Sequence, residues 1–161
     1  MIKIVNFSKG VNDDFLNNKL TEERLKEATP LDLMMFNQTK ELTSKLGDIY
    51  MLEGSMYSNE LEIAGRVDCI AEFAGKVSVI DFKTSRRKKQ NAWIQDYFLQ
   101  GTAYAIMYHE MTGILISQIV ILITGEDGSL GEHIVSPANY ITKLETKLRM
   151  YDKMQTASIC V

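Results

Sequence analysis

Apolar residues change their period along this chain, and the changes mark its elements. Leu31, Met34, Met35, Leu42 and Leu46 recur at helical spacing. Thr29-Pro30-Leu31-Asp32 precedes them with a capping hydroxyl, a proline for the first helical position and an acid in the first turn. A helix is predicted from there to a stop at Gly47. Upstream, Ile2 to Phe7 reads equally as an edge strand or a helix lead-in, Asn12 to Asn18 as a short helical turn, and Thr21 as the cap of a brief helix to about Ala28. From Ile49 the pattern shortens to alternation. Ile49 to Tyr57, Leu61 to Phe73 (bulged at Gly65) and Lys76 to Thr84 read as strands, and the short link at Ala74-Gly75 makes the last two an antiparallel hairpin. Asn91 caps a long helix from Ala92 to Thr112, closed by Gly113. Ile114 to Thr124 is almost continuously apolar, the mark of a strand covered on both faces. A turn at Gly125 to Gly128, a return strand at Gly131 to Val135 and a final helix from Ser136-Pro137 to about Gln155 complete the chain.

The long helix allows a crossover, so the strand after it can pair in parallel with the third. The expected fold is α/β, a mixed central β-sheet flanked by helices on both faces. The whole chain, 1–161, is read as one domain with an N-terminal helical part (1–47), a core (48–124) and a C-terminal strand and helix (125–161).

Composition narrows the function classes. Net charge is −3, so contact with nucleic acid must come from a local basic patch rather than a global field. Cys69 and Cys160 lie far apart, no CxxC occurs and only two histidines are present, which argues against a structural zinc or iron–sulfur site. Cys69 alternates into a strand as a small hydrophobe. No secretory or transit pattern opens the chain and no apolar run reaches a membrane span, so the expected setting is a reducing cytoplasm with no membrane partner.

Strand alternation then isolates the chemistry. Val79, Asp81 and Lys83 point one way from the third strand, Ile80 and Phe82 the other. Asp68 on the hairpin partner can bring a second carboxylate to the same place. Two carboxylates with a backbone carbonyl nearby make a hard oxygen site for magnesium or manganese, with Lys83 as a positive charge for a phosphate. Taken alone, the same residues also read as a solvated ion pair. Gln100 and Tyr104 share a helix face one turn apart, which by itself reads as a surface glutamine and a core tyrosine. Arg86-Arg87-Lys88-Lys89 reads either as a solvated loop or as a phosphate-contacting rim. Trp93 and Tyr97 can stack on unpaired bases or pack in the core, and Glu53 is open between metal ligand and surface charge.

Three motifs in order carry a resemblance: Gly65-Arg66-Val67-Asp68, then Asp81-Phe82-Lys83-Thr84-Ser85, then Gln100-x-x-x-Tyr104. They resemble the G-x-x-D, D-x-K-T-S and Q-x-x-x-Y of the PD-(D/E)XK nuclease superfamily, in its RecB-like exonuclease branch. The strings VDCIAEF, GKVSVIDFKTS and GTAYAIMY are similar in texture to the mitochondrial genome maintenance exonuclease group, over about Leu52 to Asp127.

The resemblance implies a restriction-endonuclease-like core and a metal-dependent DNA exonuclease acting on single strands or free ends in replication, repair or recombination, with a replication or recombination protein as a further partner. It implies that Asp68, Asp81 and the Phe82 carbonyl hold magnesium or manganese, joined by Glu53 if an acid there approaches the metal. Lys83 then positions or activates the attacking water, and Gln100 and Tyr104 support the lysine and the DNA backbone. Arg86, Arg87, Lys88, Lys89, Trp93 and Tyr97 become DNA contacts. One departure stands out: the family's G-x-x-x-H-x-x-x-E has no counterpart, since Lys9 to Leu16 contains no histidine, and only Asp13 or Asp14 offers a substitute. A non-catalytic nuclease-fold binding module and a restriction-type endonuclease therefore remain as competing readings. Small size and absent targeting suit a bacterial or phage setting.

Overall fold

The structure, a computed structural model, describes residues 29, 30, 33, 37, 44–85, 91–125, 127 and 129–159. Five strands form one sheet in sequence order: β1 (Leu46–Ser58), β2 (Ile63–Phe73), β3 (Lys76–Ser85), β4 (Gln118–Gly125) and β5 (Leu130–Val135). Pairing is antiparallel except between β3 and β4, which run parallel. Helix α1 (Asn91–Thr112) is the crossover that makes this pairing possible. The mixed sheet and crossover are the architecture that the alternation and the long helix predict.

Local chemistry explains the connections. Ala74 and Gly75 both take left-handed angles, with φ of 50° and 76°, and the Phe73↔Lys76 pair closes a two-residue hairpin whose twist suits the strands. The N–H of Gly113 bonds to the carbonyl of His109 at 2.8 Å and ends α1 where the sequence predicts. All eight residues of β4 are buried, as its continuous apolar run requires.

Two apolar layers sandwich the sheet. On one face α1 sets Ile94 and Phe98 against Ile119, Ile121 and Ile123, and sets Ala103, Tyr104, Met107 and Tyr108 against Met56, Val67, Ile70 and Val79. On the other face Cys69, Ala71, Phe73, Ile80, Val120 and Leu122 form a second buried layer with Leu46, Leu52 and Phe82. Helix α2 (Ile141–Ile159) packs on α1, with the Phe98 and Tyr140 rings 5.2 Å apart. No helix among the described residues is long and apolar enough to cross a membrane.

Several boundaries differ from expectation. Leu46 and Gly47 belong to β1, not to the end of the first helix; Leu46 pairs with Phe73 and joins its layer, and a turn at Ser44-Lys45 precedes it. The helix start is as predicted, with the Leu33 N–H bonded to the Thr29 carbonyl at 3.0 Å. Leu31, Met34, Met35 and Leu42, and the elements predicted before Thr29, lie outside the described residues. Strand β2 begins at Ile63 because Leu61 is held in a turn, its N–H bonded to Ser58 Oγ at 2.9 Å. The ladder runs regularly through Gly65; its irregularities fall in β1, at Leu46/Ile49 and Ile49/Met51. Ile114 to Ser117 is a connector rather than strand, with Leu115 largely exposed, and β4 starts at Gln118, whose side chain donates to the Phe73 carbonyl at 2.9 Å. Pro137 opens a 3-10 turn to Asn139, and α2 begins after it at Ile141.

Candidate active site

The sheet forks, and the fork places the charged residues. Pairing between β2 and β3 runs from Phe73↔Lys76 to Cys69↔Ile80 and stops. Beyond that point β2 continues to Ile63 against β1 alone, while β3 continues to Ser85 against β4 alone. The packing changes at the same level. Leu52 and Cys69 belong to the layer away from α1, whereas Met56 and Val67, farther along the same ribbon, pack with α1. Glu53 lies at the changeover, across from Asp68 between the Leu52↔Cys69 and Gly54↔Val67 pairs, with φ of 48°. A left-handed non-glycine residue costs about 1–3 kcal/mol. Here it reorients the β1–β2 ribbon toward α1.

Asp68 and Asp81 face each other across the fork. Freed from β2, the Phe82 N–H bonds to Asp68 Oδ2 at 3.3 Å. The N–H and C=O of one strand residue point to the same edge, so the Phe82 carbonyl is directed to this gap as well. Asp81 is buried at 6 % exposure. Lys83 Nζ lies 2.7 Å from each of its oxygens: it donates a hydrogen bond to Oδ1 and meets the buried Oδ2 as an ion pair only. Burial pushes the Asp81 carboxyl up to about 6; Lys83 opposes the rise and the Asp68 carboxylate adds to it.

Helix α1 closes the site from above. Gln100 Nε2 donates to the Tyr104 hydroxyl at 3.1 Å. Burial raises the Tyr104 phenol above its ordinary value, Gln100 and Lys83 counter this, and Asp81 and Asp68 reinforce it, so the hydroxyl keeps its proton as a donor. Gly65 explains how this ring fits: a Cβ there would lie 2.7 Å from Tyr104 Cε1. The glycine of the first motif is thus the seat of the tyrosine of the third. Tyr97, three residues before Gln100, lies under Lys83, whose Nζ is 5.0 Å from the ring centroid.

The structure therefore brings together Asp68, Asp81, Lys83, Phe82, Gln100, Tyr104 and Tyr97. Glu53 is differently engaged: Arg66 Nε bonds its backbone carbonyl and pairs with its carboxylate, each at 2.9 Å. Among the described residues no group of three or more His, Cys, Asp or Glu side chains gathers around a common point. Arg86, Arg87, Lys88, Lys89, the side chain of Trp93, and Asp13 and Asp14 lie outside the described residues. Sequence reasoning missed the Glu53–Arg66 clasp and the pairing of Tyr97 with Lys83. The only signals were an arginine inside the first motif and an aromatic three positions before Gln100.

This donor set suits a small divalent cation. A buried carboxylate with one oxygen outside any hydrogen bond, a second carboxylate and a backbone carbonyl are hard ligands, and magnesium commonly binds through one or two carboxylates with water and substrate phosphate completing its shell. A cation here would also remove the cause of the raised Asp81 carboxyl, since positive charge offsets both burial and the neighbouring Asp68.

Known proteins share sequence and fold with this chain. Mitochondrial genome maintenance exonuclease 1 of Xenopus tropicalis is 37 % identical over 93 residues, which is 55 % of this chain and 26 % of that protein. The Homo sapiens protein of the same name is 33 % identical over 95 residues, 56 % of this chain and 27 % of that protein. The matches thus span about a quarter of the length of these relatives. A crystal structure of a candidate exonuclease from Eubacterium rectale shares the fold at a TM-score of 0.54 and 11 % identity, covering 89 % of this chain and 62 % of that one. The sequence profile of the PD-(D/E)XK nuclease superfamily matches residues 9–151, nearly the whole chain, and the chain belongs to that superfamily.

Proposed function

We propose that this domain is a magnesium- or manganese-dependent deoxyribonuclease that works as an exonuclease on single-stranded DNA or free ends, in replication, repair or recombination. The observation that carries the reading is the buried Asp81 carboxylate beside Asp68 at the end of a forked sheet, its charge met by Lys83 at 2.7 Å and its Oδ2 outside any hydrogen bond. Asp68, Asp81 and the Phe82 carbonyl would hold the cation. When bound, it supplies Lewis-acid polarisation of the scissile phosphate.

The chain's own groups do the rest. Lys83 offsets the negative charge that develops as water adds to phosphorus, and it holds that water or a phosphate oxygen with its remaining N–H donors. The Tyr104 hydroxyl, fixed by Gln100, is a second donor at the same mouth. Arg86, Arg87, Lys88 and Lys89 follow β3 directly in sequence and would bind the phosphates leading into the site. The choice of exonuclease over endonuclease follows the names of the relatives and the Gln100/Tyr104 pair of the RecB-like branch. No GxxxxGK[ST] sequence occurs within these 161 residues.

End-labelled single-stranded, duplex and circular DNA, incubated with and without manganese beside Lys83→Ala, test the reading. The expected result is metal-dependent loss of linear substrate, abolished in the variant. Degradation of circles would replace the exonuclease with an endonuclease. Binding without cleavage of any substrate would make the domain a DNA-binding module.

A further inference from the structure

We propose that Tyr97 is a positioning residue for Lys83: its ring face fixes the ammonium beside Asp81, so that the lysine meets the scissile phosphate in one orientation. The inference rests on the nuclease reading above and assigns Tyr97 a task different from stacking on DNA bases.

A lysine reaches its ammonium through a four-carbon stem with large rotamer entropy, so a lysine that must act at one place needs more than one restraint. Lys83 has two, from different elements. Asp81, on its own strand, holds Nζ at 2.7 Å. Tyr97, on α1, presents its ring at 5.0 Å from centroid to Nζ. That distance is within the range of a cation–π contact, which strengthens as water is excluded. Water is partly excluded here, since the Lys83 side chain is 25 % exposed and Tyr97 is half-buried.

The two restraints differ in what they leave free. The carboxylate takes a directed N–H. The ring attracts the charge through its quadrupole and leaves the remaining ammonium donors for a phosphate oxygen or a water. A second carboxylate in place of Tyr97 would hold the ammonium more strongly but would repel a phosphodiester. An aromatic ring restrains the lysine without adding negative charge.

The helix shows why this tyrosine is available. Tyr97, Gln100 and Tyr104 stand at i, i+3 and i+7, one stripe of α1. Gln100 orients Tyr104 through its hydroxyl, and Tyr97 engages Lys83. One rigid element therefore sets both the phenol donor and the ammonium. A ring face covered by Lys83 is not open to a base, and the side chain also packs in part against the cluster of Ile94, Phe98 and the β4 isoleucines.

The two roles separate kinetically. Base stacking contributes to binding and appears in KM; orientation of Lys83 in the transition state appears in kcat. For Tyr97→Leu, which keeps an apolar side chain but removes the ring, kcat is expected to fall about tenfold, with KM within about twofold of wild type. Tyr97→Phe, which keeps the ring, should retain most of the wild-type kcat.

A second readout does not depend on cleavage. In protein carrying 13Cε-labelled lysine, the ring current should move the Lys83 ε-methylene signal upfield in wild type and Tyr97→Phe, and the shift should vanish in Tyr97→Leu. A raised KM with unchanged kcat in Tyr97→Leu, or an unshifted Lys83 signal in wild type, overturns the proposal. Wild-type protein with the shifted signal but no metal-dependent cleavage overturns the nuclease reading while leaving the Tyr97–Lys83 contact established.

Discussion

Burial raises the Asp81 carboxyl to about 6 even though an ammonium lies 2.7 Å away, and this sets a pH signature for the metal-free protein. A carboxyl with a folded value above its ordinary 3.8 binds its proton more tightly when folded. Its contribution to stability is full below that ordinary value and is lost as pH rises through about 6. Asp81→Asn cannot ionise and escapes the loss. In EDTA the variant should melt at about the wild-type temperature near pH 4 and a few degrees higher near pH 8, on the order of 1–3 kcal/mol. Divalent metal should raise the wild-type melting temperature at pH 8 and leave Asp81→Asn nearly unmoved, because the cation then has one carboxylate fewer. Thermal melts at both pH values, with and without metal, check both statements. Gly65 makes a separate prediction at this scale. Gly65→Ala forces a methyl to 2.7 Å from Tyr104 Cε1 and should cost about 1–3 kcal/mol through overpacking. In the background of Tyr104→Ala the same change should cost little, a non-additivity that a double-mutant cycle measures. Asp81 and Lys83 were legible as a pair because alternation along one strand separates them from Ile80 and Phe82, and Asp68 because the hairpin brings its strand alongside. The partners of these three were not. The ring under Lys83 depends on how α1 is rotated about its axis, and the clasp of Glu53 by Arg66 depends on a left-handed angle that glutamate does not advertise.

Elements whose chemistry is local kept their predicted bounds, and those decided by long-range pairing moved. The Ala74-Gly75 hairpin and the end of α1 at Gly113 are local and came out as read. The spacing of Leu46 fits the last core position of a helix, but its pairing with Phe73 and place in that layer draw it into β1. Ile114 to Ser117 is apolar enough for a strand, yet it only leads from α1 into the parallel ladder. The hairpin offers a stability test. Ala74 occupies a left-handed position with φ of 50°, which asparagine tolerates better, and Asn-Gly is the favoured two-residue turn. Ala74→Asn should therefore stabilise the fold by about 0.5–1 kcal/mol, seen as a higher urea midpoint with unchanged slope. At the far end of the β1–β2 ribbon, Glu110 of α1 accepts bonds from the Ser58 hydroxyl and from the Asn59 N–H, pinning the ribbon tip to the helix that carries Tyr104.

Over the whole molecule, charge is close to balanced at −3, so the DNA contact proposed above would have to be concentrated. If Arg86, Arg87, Lys88 and Lys89 bind phosphates, replacing all four with serine should weaken single-stranded DNA binding at low salt. It should also flatten the slope of log K against log salt by about 3, since each contact releases about 0.7 of a counterion on single strands. Fluorescence anisotropy across a salt series measures both. An unchanged slope would assign the phosphate contacts elsewhere. The divided sheet has a mechanical consequence. Asp68 hangs from the β1–β2 ladder and Asp81 from the β3–β4 ladder, with no strand-to-strand pairing between the two beyond Cys69↔Ile80. Backbone geometry fixes each carboxylate to its own jaw but does not fix the gap between the jaws. Across that gap the ladder is replaced by side-chain links, the Phe82 N–H on Asp68 Oδ2 and the Tyr104 ring seated on Gly65, so what separates the two carboxylates is set by side chains rather than by strand pairing.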